Sequence, residues 1–322
     1  MNRRRFLGAT ATGLAALRFP SLAASPARMA AERLVERWSW VMGQTVHLTL
    51  FAPSDDAGYE AAAAALAELR RIEARLSVFD DGSDLSELNR HAGAAAMRVD
   101  TDLLAVLTAA ARFRRSTGGA FDIGVEPLMR AWGFRTPRAT RPSRAELAEA
   151  EAAVRHASVS IHGSSVRLAA AHTRLDLGGV GVGYGLDCAA AVLRRHGIRR
   201  ALIDISGDCL ALGAPPGSDG WKVEIVNSAA AADGPEVVKL RDAALATSAN
   251  TVSVVRIGTT VAGHVMDPHT GYPATALRQA SVLAGSGMEA DALSTAMLVT
   301  GRPPAGVVRW YGQTGQTGQP GG

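Results

Sequence analysis

The chain has 322 residues, 47% of them apolar and 20% charged, and a formal charge of +4. These proportions are those of a globular protein, and with no run of about 18–20 apolar residues they exclude general disorder, collagen-like repeats and a multi-span membrane protein. The excess charge lies in Arg3, Arg4, Arg5 and Arg18 of an acid-free leader, and no dense basic run follows, which excludes a protein that grips a nucleic-acid backbone.

Residues 1–24 run from arginines through a weakly apolar stretch to small residues, with an A-x-A-like site near Ser21-Leu22-Ala23. Arg3-Arg4-Arg5-Phe6-Leu7 fits the twin-arginine signal that exports folded proteins, and so predicts a periplasmic location. An ordinary secretory signal or an uncleaved anchor is the other reading. Residues 25–37 are expected to be a flexible lead-in, residues 38–311 one catalytic unit, and the Gly/Gln-rich residues 312–322 disordered. Cys188 and Cys209 lie in apolar patterns and read as two buried thiols, the alternative being one disulfide.

Thr45 to Phe51 alternates as a strand does. Ser54 caps a helix whose buried face is Ala62, Leu66, Leu69, Ile72 and Leu76. Asp100 or Thr101 opens a second helix, ended by Gly118-Gly119, and Ser143 with Glu146 forms a capping box for a third running to His156. A loop over 133–142 separates the last two. A hairpin turns around His162-Gly163. Beyond Arg174 the pattern gives short strands at 201–205, 221–227, 251–257 and 279–284, with helices from Tyr184 to His196 and from Met288 to Thr300. Strands and helices do not alternate regularly, so the fold class is α+β with mixed or antiparallel sheets.

Four segments carry chemistry. Ser116 to Asp122, with Trp132 and Gly133-Phe134, reads as a close-approach loop for a planar ligand or as a helix end with a core phenylalanine. Leu175 to Asp187 is a glycine-rich run entering a helix, suited to phosphate. A dinucleotide fingerprint fits it in several registers, so that match is weak. His264 to Pro273 holds two histidines and an aspartate around a Thr-Gly turn, either a base or ligand set or a polar strand end. Asp291 and Thr295 share a helix face, an all-oxygen pair suited to Mg²⁺, though Asp291 also reads as a helix cap.

Taken in order, these segments resemble the ApbE family of flavin transferases, which move FMN from FAD onto a threonine of a target protein. The resemblance runs from about Trp38 to Gly301 and includes Met42-Gly43, Leu76 to Phe79, Ser83 to Asn89, Gly119 to Asp122, Ser206-Gly207-Asp208 and Thr247-Ser248. It implies an ApbE-like fold, FAD as substrate and Mg²⁺. By position it places Met42, Phe79, Ala120, Phe121, Asp122, Asp176, Val182 and Met266 against the FAD. It gives Gly179, Asp291, Ser294 and Thr295 to the metal and His264 to catalysis. An exported member also resembles the branch that flavinylates a membrane flavoprotein in nitrous-oxide respiration. Val182, Ser294, Ser206, Ala249 and the Gly/Gln tail depart from the family pattern. An FAD pyrophosphatase releasing FMN and AMP, or a non-catalytic flavin carrier, are the alternatives the same residues allow.

Overall fold

The computed structural model describes residues 32–225, 236–251, 253–258 and 260–313. The expected export signal at 1–24 lies outside them, as do 25–31 and 314–322 of the two segments expected to be flexible. Strand β1 (Arg33–Val41) already begins inside the expected lead-in and turns through Met42-Gly43 into β2 (Gln44–Ala52). Only Val35 and Val41 of β1 are buried, so a charged edge strand reads as a loop in the sequence.

Next come α1 (Asp55–Leu76), α2 (Asp84–Arg90), β3 (Met97–Arg98) and α3 (Thr101–Ser116). Ser54, Ser83 and Asp100 cap the three helices through their side chains. A 3-10 turn at Ile123–Val125 leads to α4 (Glu126–Ala131), and α5 (Arg144–Arg155) opens with the expected Ser143–Glu146 capping box. The hairpin β4 (Val159–His162) and β5 (Ser165–Leu168) precedes α6 (Gly181–Arg195).

The remaining elements are β6 (Arg200–Ile205), β7 (Asp208–Leu212), β8 (Trp221–Ile225), β9 (Glu236–Leu240), β10 (Ala243–Ala249), β11 (Val254–Ile257), β12 (Thr260–Gly263), β13 (Gln279–Ala284), α7 (Gly287–Thr300) and β14 (Arg309–Gln313). Gly312 and Gln313, expected to be disordered, pair with Ala280 and Gln279.

Seven of the described strands form one antiparallel sheet in the order β1-β2-β6-β7-β10-β13-β14. Period-2 alternation gives it two buried faces. Val46, Leu48, Leu50, Ile203 and Leu210 pack under Leu66 and Leu69 of α1 and Leu186 and Leu193 of α6. On the reverse face, Cys209, Ala211 and Leu245 are covered by Trp221, Val238 and Leu240 of the β8–β9 hairpin. Both cysteines are free thiols, Cys209 buried and Cys188 half-buried. A second core joins α3, Phe121, Leu175 and Leu177 to Ala292 and Ala296 of α7. None of the described helices is long and apolar enough to cross a membrane.

Candidate functional site

The N-termini of α6 and α7 meet. A Cβ on Gly183 would stand 2.2 Å from the Gly287 carbonyl oxygen, and one on Gly287 would stand 2.4 Å from that of Gly183, so the helices touch backbone to backbone. Each then completes the other. Asp187 of α6 accepts the Gly287 and Met288 N–H groups at 2.7 and 3.0 Å, and Asp291 of α7 accepts the Gly183 N–H at 3.0 Å. Two positive helix ends thus lie side by side, each complemented by a carboxylate from the other helix. Helix α6 begins three residues before the expected Tyr184, because the glycines are helical here and serve this contact.

Donor oxygens collect beside that junction. Thr295 Oγ1 lies 3.0 Å from where a Cβ on Gly179 would stand, and the Phe121 ring 3.4 Å away. Ser248 Oγ of β10 is 2.8 Å from Ser294 Oγ and 3.1 Å from Thr295 Oγ1, while Ser294 donates to the Asp291 carbonyl at 2.9 Å. Asp208, at the start of β7, accepts the Thr247 N–H at 2.8 Å. Burial, then the nearby Asp208 charge, pushes the Asp291 carboxyl well above its usual range. Burial, with Asp204 adding, pushes Asp208 up to about 7. No arginine or lysine is among the groups acting on either. Two carboxylates, Asp291 buried and Asp208 half-buried, have no cationic partner among the described residues and, with the nearby hydroxyls and the closely packed Gly179 backbone, form a hard-oxygen donor set that fits Mg²⁺. Among the described residues no three His, Cys, Asp or Glu side chains converge.

His264 follows β12 on a braced segment. Its N–H donates to Ser253 O at 3.1 Å, and Asn250 both accepts the Val265 N–H at 2.9 Å and donates to Ala274 O at 2.6 Å. The His264 Nδ1 is buried without a partner. Burial holds its pKa below the usual value, with the Ser253 backbone and the Asp176 charge acting the other way. Met266 is buried with Trp132 and Met129, and the Trp132 Nε1–H donates to Gly271 O at 2.9 Å.

The other residues expected against the flavin lie in separate local settings. Met42 occupies the β1–β2 turn at φ +57°, a left-handed conformation that a methionine adopts only under local strain, and its Cε would lie 2.7 Å from a Cβ on Gly185. Asp122 accepts the Gly124 N–H at 2.8 Å and Arg114 Nε at 2.6 Å. Ala120 and Phe121 are buried, and the Phe121 ring meets Phe113 edge-on at 6.1 Å. Asp176 accepts the Gly178 N–H at 2.6 Å and pairs with Arg135. The ring of Phe79 is 78% exposed, with the Arg135 guanidinium 4.8 Å from its centroid.

Gly179, Asp291, Ser294 and Thr295 lie close together, and the Asp176 charge reaches His264. Val182, in the first turn of α6, is half-buried and packs against the sheet core, as Met42 does. Arg135, Asn250 and a role for Ser248 escape sequence reasoning, since each acts through partners far along the chain. Asp208 stands in the quoted Ser206-Gly207-Asp208 motif, which was the signal for it. A cavity of about 400 Å³ lined by Arg194, Arg199 and Asp242 lies at the opposite end of α6.

The chain is similar to known proteins over most of its length. The sequence profile described as ApbE family matches residues 42–311. A Treponema pallidum protein named FAD:protein FMN transferase is 32% identical over 250 residues, covering 72% of this chain and 69% of its own. A Vibrio cholerae protein of the same name is 29% identical, covering 72% and 71%. Among solved structures, the flavin transferase ApbE from Vibrio cholerae superposes with a TM-score of 0.72 at 27% identity, covering 83% and 87% of the two chains. The ApbE protein of Thermotoga maritima gives 0.75 at 27% identity, covering 84% and 88%.

Proposed function

The chain belongs to the ApbE family and is an FAD:protein FMN transferase, and we propose that it uses Mg²⁺ to place FMN on a threonine hydroxyl of an exported or membrane-bound flavoprotein, releasing AMP. The observation that carries this reading is the meeting of the α6 and α7 N-termini beside the buried Asp291 and half-buried Asp208 carboxylates, which no cation among the described residues neutralises. In the proposed step the threonine oxygen bonds to the FMN phosphorus and the pyrophosphate P–O bond breaks. AMP departs with the bridging oxygen, and the hydroxyl proton passes to a base. Asp291, Thr295, the Gly179 backbone and Ser294 would hold the metal. When bound, Mg²⁺ supplies charge neutralisation at the phosphoryl oxygens.

The chain's own residues account for the rest. The first-turn N–H groups of α6 and α7 hold Asp291 and Asp187, so the donor set needs no reorganisation when the substrate arrives. His264 is kept neutral by burial and so is ready to take a proton at neutral pH, a contribution of about 10²–10⁴-fold for a well-placed base. Its buried, unpartnered Nδ1 leaves the imidazole free of any competing side-chain bond at that nitrogen. The twin-arginine leader supports export in the folded state, consistent with a periplasmic acceptor.

Incubating the protein with FAD, Mg²⁺ and an acceptor-domain fragment, then weighing the fragment, tests the proposal. An FMN-sized mass gain that Asp291→Ala abolishes is expected. AMP release with an unmodified fragment would make the protein an FAD pyrophosphatase, and bound FAD without AMP a carrier.

A further inference from the structure

Arg135 sits in the loop after α4 and has no counterpart among the residues that reading the sequence selects. Its side chain is 9% exposed, held between the carboxylates of Asp176 and Glu126, the latter at 3.6 Å from Nε. Its guanidinium covers one face of Phe79 at 4.8 Å from the ring centroid. Glu126 is itself 2% exposed, and its Oε2 and the Arg135 Nε have no hydrogen-bond partner. The loop that carries Phe79 is fixed from beneath, because the fully buried Ser83 donates to Ser77 O at 2.6 Å and caps α2. An aromatic side chain exposed to 78% is therefore locked at its base and backed on one face only.

We propose that Arg135 is a positioning residue for the flavin. From behind, its planar guanidinium fixes the orientation of Phe79, and the isoalloxazine stacks on the open face. The same guanidinium pairs with the Asp176 carboxylate and keeps it aimed, so one cation sets both the stacking plane and an acceptor for the flavin edge. A planar cation on an aromatic face gives a preorganised platform that a lysine cannot reproduce. This inference rests on the transferase reading, since it needs the flavin at Phe79.

Titration of the whole protein with FMN, followed by quenching of flavin fluorescence, and separately with AMP, followed by competition against FAD, tests it. Arg135→Ala is expected to weaken FMN binding about tenfold, the equivalent of one cation–π contact, and to raise KM for FAD more than it lowers kcat. AMP binding stays unchanged. Added guanidinium at millimolar concentration restores part of the FMN affinity, whereas Arg135→Lys does not. Phe79→Leu, on an exposed side chain and leaving both ion pairs intact, loses a similar factor, and the double variant loses no more than either single one. Unchanged FMN binding in Arg135→Ala, parallel loss of AMP and FMN, or additive losses in the double variant would each overturn the inference. A parent protein that binds no FAD would instead overturn the transferase reading.

Discussion

Gly183→Ala is the sharpest test of how the site is assembled. The added Cβ would lie 2.2 Å from Gly287 O, 2.5 Å from Gly287 C and 2.7 Å from Met288 N, all of them backbone atoms that no rotamer can move. Relief to an ordinary contact requires α6 and α7 to part by about 1 Å, for which overpacking typically costs about 1–3 kcal/mol. That displacement also stretches the Gly183–Asp291 hydrogen bond, worth roughly 1.5–3 kcal/mol for a charged acceptor. Removing a glycine from a helix returns only about 1 kcal/mol. The net loss is about 2–5 kcal/mol, roughly 5–15 °C in melting temperature for a chain of this size. Gly181→Ala is the matched control, since its Cβ would meet only Leu177 Cβ at 3.9 Å, and it should melt at or above the parent temperature. Differential scanning fluorimetry on the three proteins, with and without Mg²⁺, gives the answer. A Gly183→Ala protein that melts within about 2 °C of the parent would refute the backbone seam.

Other consequences are equally accessible. Burial lowers the His264 pKa, so the folded ring takes up its proton below the ordinary 6.5. The acid limb of kcat/KM should therefore lie below pH 6.5, with folding stability also falling there because the unfolded chain binds the proton first; a limb above 6.5, or one surviving in His264→Gln, would count against the base. Asp291→Asn should lose at least about 100-fold in transfer and lose any Mg²⁺-induced thermal shift, while still quenching flavin fluorescence on binding FAD. Asn250→Asp keeps the acceptor for Val265 but sets a carboxylate against Ala274 O, so kcat should drop about tenfold at unchanged FAD affinity, as stopped-time assays of AMP release would show. Ser143→Ala should cost about 1 kcal/mol in urea melts through loss of the capping box.

Local chemistry was the legible part of the fold. Ser54, Asp100 and Ser143 announce their helices because a cap is decided within four residues. The edge strand β1 was hidden because two buried valines in nine residues make no alternating signal. Strand β10, with the sequence AALATSA, was hidden by its small side chains, although Ala244, Leu245 and Ala246 are buried. The start of α6 was obscured for the opposite reason. Its glycines argue against a helix locally, and only contact with α7 overrides that preference. In the site, Asp291 and Thr295 could be paired from their helical spacing. Arg135, Asn250 and Ser248 could not, since their partners stand 41, 15 and 46 residues away in the chain.

The glycine seam between α6 and α7 has a consequence for motion. A contact made of main chain has no rotamers to exchange, so the helix pair cannot slide in the small steps by which packed helices usually shear. In the proposed reaction that seam would be a fixed floor under the phosphates, and admission of a bulky protein acceptor would fall to the borders that rest on side chains: the Phe79 loop, the segment after α4 and the stretch from His264 to Ala274. Under that proposal, divergence in which acceptors are accepted would proceed along those borders alone, leaving the phosphoryl chemistry beneath untouched.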